Sequence, residues 1–365
     1  MAVLTQILVV NAGSSSLKLR VLNDADEVTG SADLPPPRDG DDGAAIKAAI
    51  EPFGEVHAAG HRIVHGGEEF RGPVLIEGGV RQRLGALIDL APLHQPKSLA
   101  ALDAVTAVLP DVPAIACFDT AFHATIPAAA ATFALPAQWR ERWSLRRFGF
   151  HGLSHAYLSR RAATLIGPGL RLVSCHLGAG ASLAAVRDGR SVETTMGFTP
   201  LDGLVMATRS GSVDPGLVLW LQTHAGISAA ELSSALEHRS GLAGLAGTAD
   251  MAEVLARAAA GDAQAELARE VYLHRLAGSV AAMTAALDGL DALAFTGGVG
   301  ENSAEIRSRA AARLGFLGVH VLDEPNDTGS GDRDIGSPEA PVRVLVIAAR
   351  EDIEIARQVR EVIPP

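Results

Sequence analysis

The sequence predicts an α/β protein with mixed sheets, built as two related domains. Length is the first observation: 365 residues exceed one ordinary domain, and the usual 100–200 or so residues per domain gives two. The second is an internal repeat. Residues 7–22, ILVVNAGSSSLKLRVL, read as strand, Gly/Ser turn, strand, and residues 170–187, LRLVSCHLGAGASLAAVR, return to that shape half a chain later. The third is the alternation of such strands with segments of helical period.

Taken in order, the first hairpin is followed by SADLPPPRDGDDG at 31–43, a polar, Pro-rich stretch that reads as a surface loop. Periodic apolar residues predict helices over 97–109 and 153–166. Ser228 and Glu231 form a capping box that opens a helix running to about His238. Between Met251 and Leu287 the residues Val254, Leu255, Val271, Leu276, Val280, Met283 and Leu287 keep helical spacing, as two helices broken near Gly261. A helix-like 303–314, a second polar loop at 323–341 and the strand VRVLVIAA at 342–349 complete the chain.

Hydrophobic residues make up 48% and charged residues 20%, with mean hydropathy +0.20, a globular composition with ample core. The formal net charge of −11 and the lack of a basic run exclude an electrostatic nucleic-acid binder. A compact anion can still meet a local arginine cluster. Cys117 and Cys175 stand too far apart for a CxxC pair and read as buried free thiols. The N-terminus has no basic n-region, and the longest near-apolar stretch, 276–287, is too short to span a bilayer. The expectation is a cytoplasmic protein without membrane contact.

NAGSSSLK, Asn11 to Lys18, lacks the Walker A order and precedes a strand pattern, so it is no P-loop. It reads either as an ordinary hairpin turn or as a phosphate cradle, with Gly13 admitting the anion, Ser14 and Ser16 donating and Lys18 supplying charge. GHRIVHGGE, 60–68, carries Arg62, whose planar fork suits carboxylate and phosphate oxygens. His57, His61 and His65 are spaced by four, but glycines and β-branched residues argue for a strand, which separates them too far for zinc. GFHGLSHAY, 149–157, holds His151 and His155 without the glutamate of HExxH, and falls short of the hydrolase elbow at Ala156. Asp119 of FDTAFH is either a turn or cap aspartate or a carboxylate of a metal or transfer site. The long glycine-rich stretch 197–216 carries Arg209 and has the character of a functional loop. FTGGVGENS, 295–303, reads as strand, glycine turn and helix able to hold a nucleotide, although its glycines do not fit GxGxxG.

The segments NAGSSSLK, GHRIVHGGE, APLHQP, FDTAFHATIP, RRFGFHGLSHAY, HLGAGAS, GFTPLDGLVMATRSG, FTGGVGENS and AREDIEIAR follow one another through the chain. In that order they resemble the acetokinase family of carboxylate kinases, within the actin-like and sugar-kinase-like ATPase superfamily. The resemblance implies two duplicated actin-like, ribonuclease H-like domains, 1–120 plus 351–365 and 121–350, with an interdomain active-site cleft. It implies reversible transfer of the ATP γ-phosphoryl to acetate by direct in-line transfer, with Mg²⁺, replaceable by Mn²⁺, and ATP or ADP as co-substrate. A homodimer is implied as well. Propionate or butyrate is the alternative acceptor, and a non-catalytic actin-like nucleotide-binding protein the further alternative.

Carried onto this sequence, the resemblance gives catalytic roles to Arg62, Arg209, Asp119, His151 and Asn11, with Asn11 and Glu351 serving the metal. His94 shapes the site, and Val64, Leu93, Phe150 and Pro200 enclose the substrate methyl. Ser14, Ser16 and Lys18 stand beside the phosphoryl group, while His176, Gly178, Gly180, Asp250, Gly298, Val299, Gly300 and Asn302 hold the nucleotide. The sequence departs from the family pattern at Ala179, where asparagine is usual, and at Met251 and Ala252, where phenylalanine and arginine are frequent. These departures bear on the phosphoryl donor and leave the transfer residues in place.

Overall fold

The opening hairpin is formed by β1 (Ile7–Ala12) and β2 (Leu17–Leu22), antiparallel from Ile7 opposite Leu22 to Ala12 opposite Leu17. The computed structural model describes residues 6–13, 16–35, 43–92 and 94–363. The first sheet also contains β3 (Val28–Leu34), β4 (Ala58–Ile63), β5 (Val74–Leu75) and β6 (Ala114–Phe118), in the order β3-β2-β1-β4-β6-β5. β1, β4 and β6 run parallel, and β2, β3 and β5 pair antiparallel to their neighbours.

The second hairpin is β7 (Arg171–Leu177) with β8 (Ala181–Arg187). Together with β9 (Arg190–Thr194), β10 (Ala292–Thr296), β11 (Arg333–Asp334) and β12 (Arg343–Val346) it forms the order β9-β8-β7-β10-β12-β11. The strand senses repeat those of the first sheet position by position. Both sheets therefore have the mixed ribonuclease H-like arrangement, and the hairpin repeat in the sequence marks a true duplication.

Two compact units contain these sheets: Met1–Ala124 with Phe150–Tyr157 and Arg350–Pro365, and Thr125–Gly149 with Leu158–Ala349. Phe150–Tyr157 joins the first unit because Leu153 is buried in that unit's core beside Ile7, Ile115 and Ile355. Alternation along the strands explains how one sheet feeds two cores. Leu8, Val10, Leu17 and Leu19 pack on one face with Ile46, Ile50, Ala101 and Val105, whereas Ile7, Val9, Ala58, Ile115 and Cys117 pack on the other with Ile355, Ala356 and Val359.

The expected helices form at Gln95–Val108, Gly152–Ile166, Ala229–His238, Met251–Ala259, Ala263–Leu287 and Ala304–Arg313. Ser228 Oγ accepts from Glu231 N at 3.2 Å, the cap read from the sequence, and the break near Gly261 falls at a glycine with φ +87°. Two expectations need correction. Residues 31–34 of the first polar stretch belong to β3, since an antiparallel neighbour satisfies their backbone regardless of side-chain polarity. Within 323–341, Asp323–Thr328 is a helix and Arg333–Asp334 is β11. The helix is held by Asn326, which is buried and accepts from Arg307 Nε at 2.7 Å. Both cysteines are buried and free, and no helix among the described residues is long and apolar enough to cross a membrane.

Candidate active site

Strand register assembles the core of the site. In the parallel pairs Val10 lies beside His61 and Arg62 beside Cys117. Asn11, Arg62 and Asp119 thus continue, at the ends of β1, β4 and β6, the face that Ile7, Val9, Ala58, Ile115 and Cys117 present to the C-terminal helix Glu351–Val362. That helix approaches closely because Gly60 carries no side chain. A Cβ there would lie 2.5 Å from Ile355 Cγ2 and 2.7 Å from Val359 Cγ2. The close seat brings Glu351, the first residue of the helix, to the strand ends.

Arg62 is the hub. Its Nε and Nη2 donate to Asp119 Oδ2 at 3.0 and 2.6 Å, its Nη1 donates to Asn11 Oδ1 at 3.1 Å, and Asn11 Nδ2 donates to Glu351 Oε2 at 2.9 Å. Burial works against the charged guanidinium, but the charges of Asp119 and Glu351 outweigh it and hold its pKa above the ordinary arginine value. Burial likewise pushes the Asp119 carboxyl up, Glu351 adds to this, and Arg62 opposes it. Asp119 Oδ1 is buried without a hydrogen-bond partner among the described residues.

His151 is joined to this cluster through the backbone. It adopts a left-handed conformation, φ +56°, which costs a non-glycine residue energy and marks a constrained position. The following Gly152 donates its N–H to Asp119 O at 2.8 Å. A Cβ on Gly152 would stand 2.2 Å from that oxygen, so only glycine permits the contact. Val64 and Phe150 are buried in the same unit. His94 stands at the start of the helix Gln95–Val108. Lys18 is exposed on β2 directly opposite Asn11, and Ser16 O accepts from Gly13 N at 2.8 Å. Ser14 and Leu93 lie outside the described residues.

In the second unit, Arg209 Nη1 donates to Pro200 O at 3.2 Å. A cavity of about 600 Å³ opens in this unit between Gly178, Asp250, Gly298, Val299 and Asn302, all expected nucleotide residues. Ala179, Met251, Ala252, Leu255 and Tyr272 complete much of its wall. Asp250 also caps the helix Met251–Ala259, Oδ1 accepting from Ala252 N at 2.8 Å. Gly180 closes the turn by accepting from Gly178 N at 3.0 Å. His176, next to last in β7, lies close to that turn, where a Cβ on Gly178 would be 3.4 Å from His176 Nε2. Gly300 lies buried behind the wall, in the short helix Gly297–Asn302.

Arg307 escaped the sequence reading. It is among the largest fully buried side chains, and it donates to the carbonyls of Gly300 and Glu301 at 2.9 and 2.8 Å. It thereby fixes the end of the helix carrying Gly298, Val299 and Asn302, while burial lowers its own pKa to about 10. Glu301 secures the other end, with Oε1 accepting from Gly297 N at 2.9 Å. Tyr272 was also missed. In the sequence both look like ordinary helix residues, and only their burial distinguishes them.

With this geometry in hand, comparison with known proteins decides the family. A model of the acetokinase family matches residues 44–357. The chain belongs to the acetokinase family. The acetate kinase of Nostoc punctiforme is 48% identical over 312 residues, covering 84% of this chain and 77% of that protein. The acetate kinase of Methanosarcina acetivorans is 38% identical over 395 residues, covering 98% and 97%. Among solved structures, a propionate kinase from Francisella tularensis superposes with TM-score 0.91 at 35% identity, covering 98% of this chain and 100% of that one. Membership makes the chain a phosphotransferase with a carboxyl group as acceptor.

Proposed function

We propose that this chain catalyses reversible, Mg²⁺-dependent transfer of the γ-phosphoryl group of ATP to acetate, giving acetyl phosphate and ADP. The observation that carries the reading is Arg62, a guanidinium held at the strand ends by Asp119 and Asn11. Acetate is ionised at neutral pH, so no base has to remove a proton. One carboxylate oxygen forms the new bond to phosphorus, the bond to the bridging oxygen breaks, and its electron pair leaves with ADP. What the protein supplies is position and compensation of negative charge.

In this reading Arg62 and Arg209 bind carboxylate and phosphoryl oxygens, His151 donates to the phosphoryl group, and His94 shapes the site. Val64, Leu93, Phe150 and Pro200 surround the methyl group. Ser14, Ser16 and Lys18 attend the phosphoryl end, and the cavity lined by Gly178, Asp250 and Val299 takes the nucleoside. The oxygen donors fit Mg²⁺, a hard cation that accepts one or two carboxylates and fills its remaining positions with phosphate oxygens and water. Glu351, Asn11 and Asp119 Oδ1, which has no hydrogen-bond partner among the described residues, are the oxygen donors proposed for it. When bound, Mg²⁺ would neutralise charge on the β- and γ-phosphate oxygens.

Propionate is the second reading for the acceptor, favoured by the likeness to the Francisella propionate kinase. The active form is a homodimer. Its support is the helix Pro215–Thr223, which has no buried residue and leaves Leu217 48%, Leu219 60% and Trp220 53% exposed, an apolar aromatic surface of the kind found at interfaces. Acyl phosphate formation, trapped with hydroxylamine from ATP, Mg²⁺ and acetate, propionate or butyrate in parallel, tests the function. Highest kcat/KM with acetate is the expected result, and no product with any acid would sink it. Light scattering of the wild type against Trp220→Asp tests the dimer.

A further inference from the structure

The polar backbone beyond β4 is satisfied by side chains. Asp119 N–H donates to Ile63 O at 3.0 Å, the last backbone bond of that edge. Next, His65 N–H donates to Gln95 Oε1 at 3.1 Å, and Gln95 Nε2 donates back to His65 O at 3.1 Å. The amide of Gln95 thus imitates a neighbouring strand, exchanging both bonds with one residue. Its Nε2 also reaches Leu84 O at 3.4 Å, and the side chain is 0% exposed. Gly66 N–H goes to Thr120 Oγ1 at 3.0 Å.

The clamp extends through the His65 ring. Nδ1 accepts from Gly67 N at 2.9 Å, which leaves the ring proton on Nε2. The ring meets Phe150 edge-on, centroids 5.5 Å apart at 70°. Burial lowers its pKa to about 4, so it is neutral under ordinary conditions. Gln95 consequently fixes the backbone next to Val64 and, through His65, the seat of Phe150.

We propose that Gln95 and His65 are positioning residues that set the depth of the acceptor pocket, and so which short-chain carboxylic acid this chain takes. The inference rests on the acceptor-pocket reading of Val64 and Phe150 above. It follows from scale: one methylene in an apolar pocket changes kcat/KM by about 10- to 200-fold, so a small movement of two walls is enough to alter selectivity.

The experiment compares wild type, Gln95→Met and His65→Asn for acetate, propionate and butyrate. Gln95→Met keeps length and loses the paired bonds; His65→Asn keeps an acceptor for Gly67 N–H and loses the ring. Each variant should shift the propionate-to-acetate ratio of kcat/KM about fivefold or more, with KM for ATP within about twofold. A purely structural role would lower all three acids in parallel, and an unchanged ratio in a folded variant overturns the proposal. Wild type inactive with all three acids would instead overturn the functional reading beneath it. Should a variant fail to fold, amide exchange in wild type decides: slow exchange at His65 N–H supports the clamp, and exchange at the rate of an exposed amide overturns it.

Discussion

Arg62 grips Asp119 through Nε and Nη2, both on Oδ2, at 3.0 and 2.6 Å, and leaves Oδ1 without a hydrogen bond among the described residues. One carboxylate oxygen holds the cation while the other remains available. Arg62→Ala should lower kcat by about 100- to 1000-fold, the cost of removing a preorganised donor. Arg62→Lys should recover little, because a single ammonium cannot reach Asp119 and Asn11 in one plane. Steady-state turnover measures this, and near-normal kcat in Arg62→Ala would remove Arg62 from the chemistry.

Glu351 enters the cluster from the C-terminal helix and accepts from Asn11 Nδ2 at 2.9 Å. Glu351→Gln should raise the Mg²⁺ concentration for half-maximal activity by about tenfold or more. A titration of activity with Mg²⁺ at fixed ATP checks it; an unchanged midpoint would exclude Glu351 from the metal site.

Arg307 ties the carbonyls of Gly300 and Glu301 to Asn326, donating to Asn326 Oδ1 and O at 2.7 Å each. Arg307→Met leaves those acceptors unsatisfied in a buried place, at about 1–3 kcal/mol each. The expected outcome is a lower melting temperature with KM for ATP raised about tenfold and kcat at saturating ATP reduced less than about threefold. Equal losses with acetate and ATP would show that the helix Gly297–Asn302 does not serve the nucleotide selectively.

Burial lowers the pKa of His61, His65 and His123 to about 3, 4 and 4. The unfolded chain takes up protons near the ordinary value of 6.5 that the folded chain refuses. Stability is therefore complete above about pH 6.5 and is lost as pH falls toward 4. The urea midpoint should be lower at pH 5 than at pH 7.5. Neither ring nitrogen of His61 has a hydrogen-bond partner among the described residues. His61→Leu should accordingly weaken the acid dependence without lowering the midpoint at pH 7.5. An identical acid dependence in that variant would show that His61 is not one of the groups responsible.

Much of the fold was legible because it rests on local signals. The two glycine-turn hairpins gave the duplication, and Gly261 and the Ser228 cap gave helix limits that local chemistry enforces. The polar segments at 31–43 and 323–341 read in part as loops, since β3 and the helix Asp323–Thr328 depend on partners outside those segments, β2 and Arg307. Gln95 and Arg307 show the same limit in the site, because their side chains look ordinary until burial and long-range acceptors are known.

By itself the sequence determined residue chemistry, hairpin geometry and the family's motifs, including Arg62, Asp119, His151 and Arg209. Tertiary structure alone decided that Asn11, Arg62 and Asp119 end three adjacent strands on one face, and that Gly60 lets the last helix bring Glu351 to them. It also decided that Gly152, the residue after His151, sits with its N–H on the backbone carbonyl of Asp119. The physical reason is range: turns and caps are set by bonds within a few residues, whereas a charged cluster drawn from positions 11, 62, 119 and 351 exists only after sheet register and helix packing have brought those positions together.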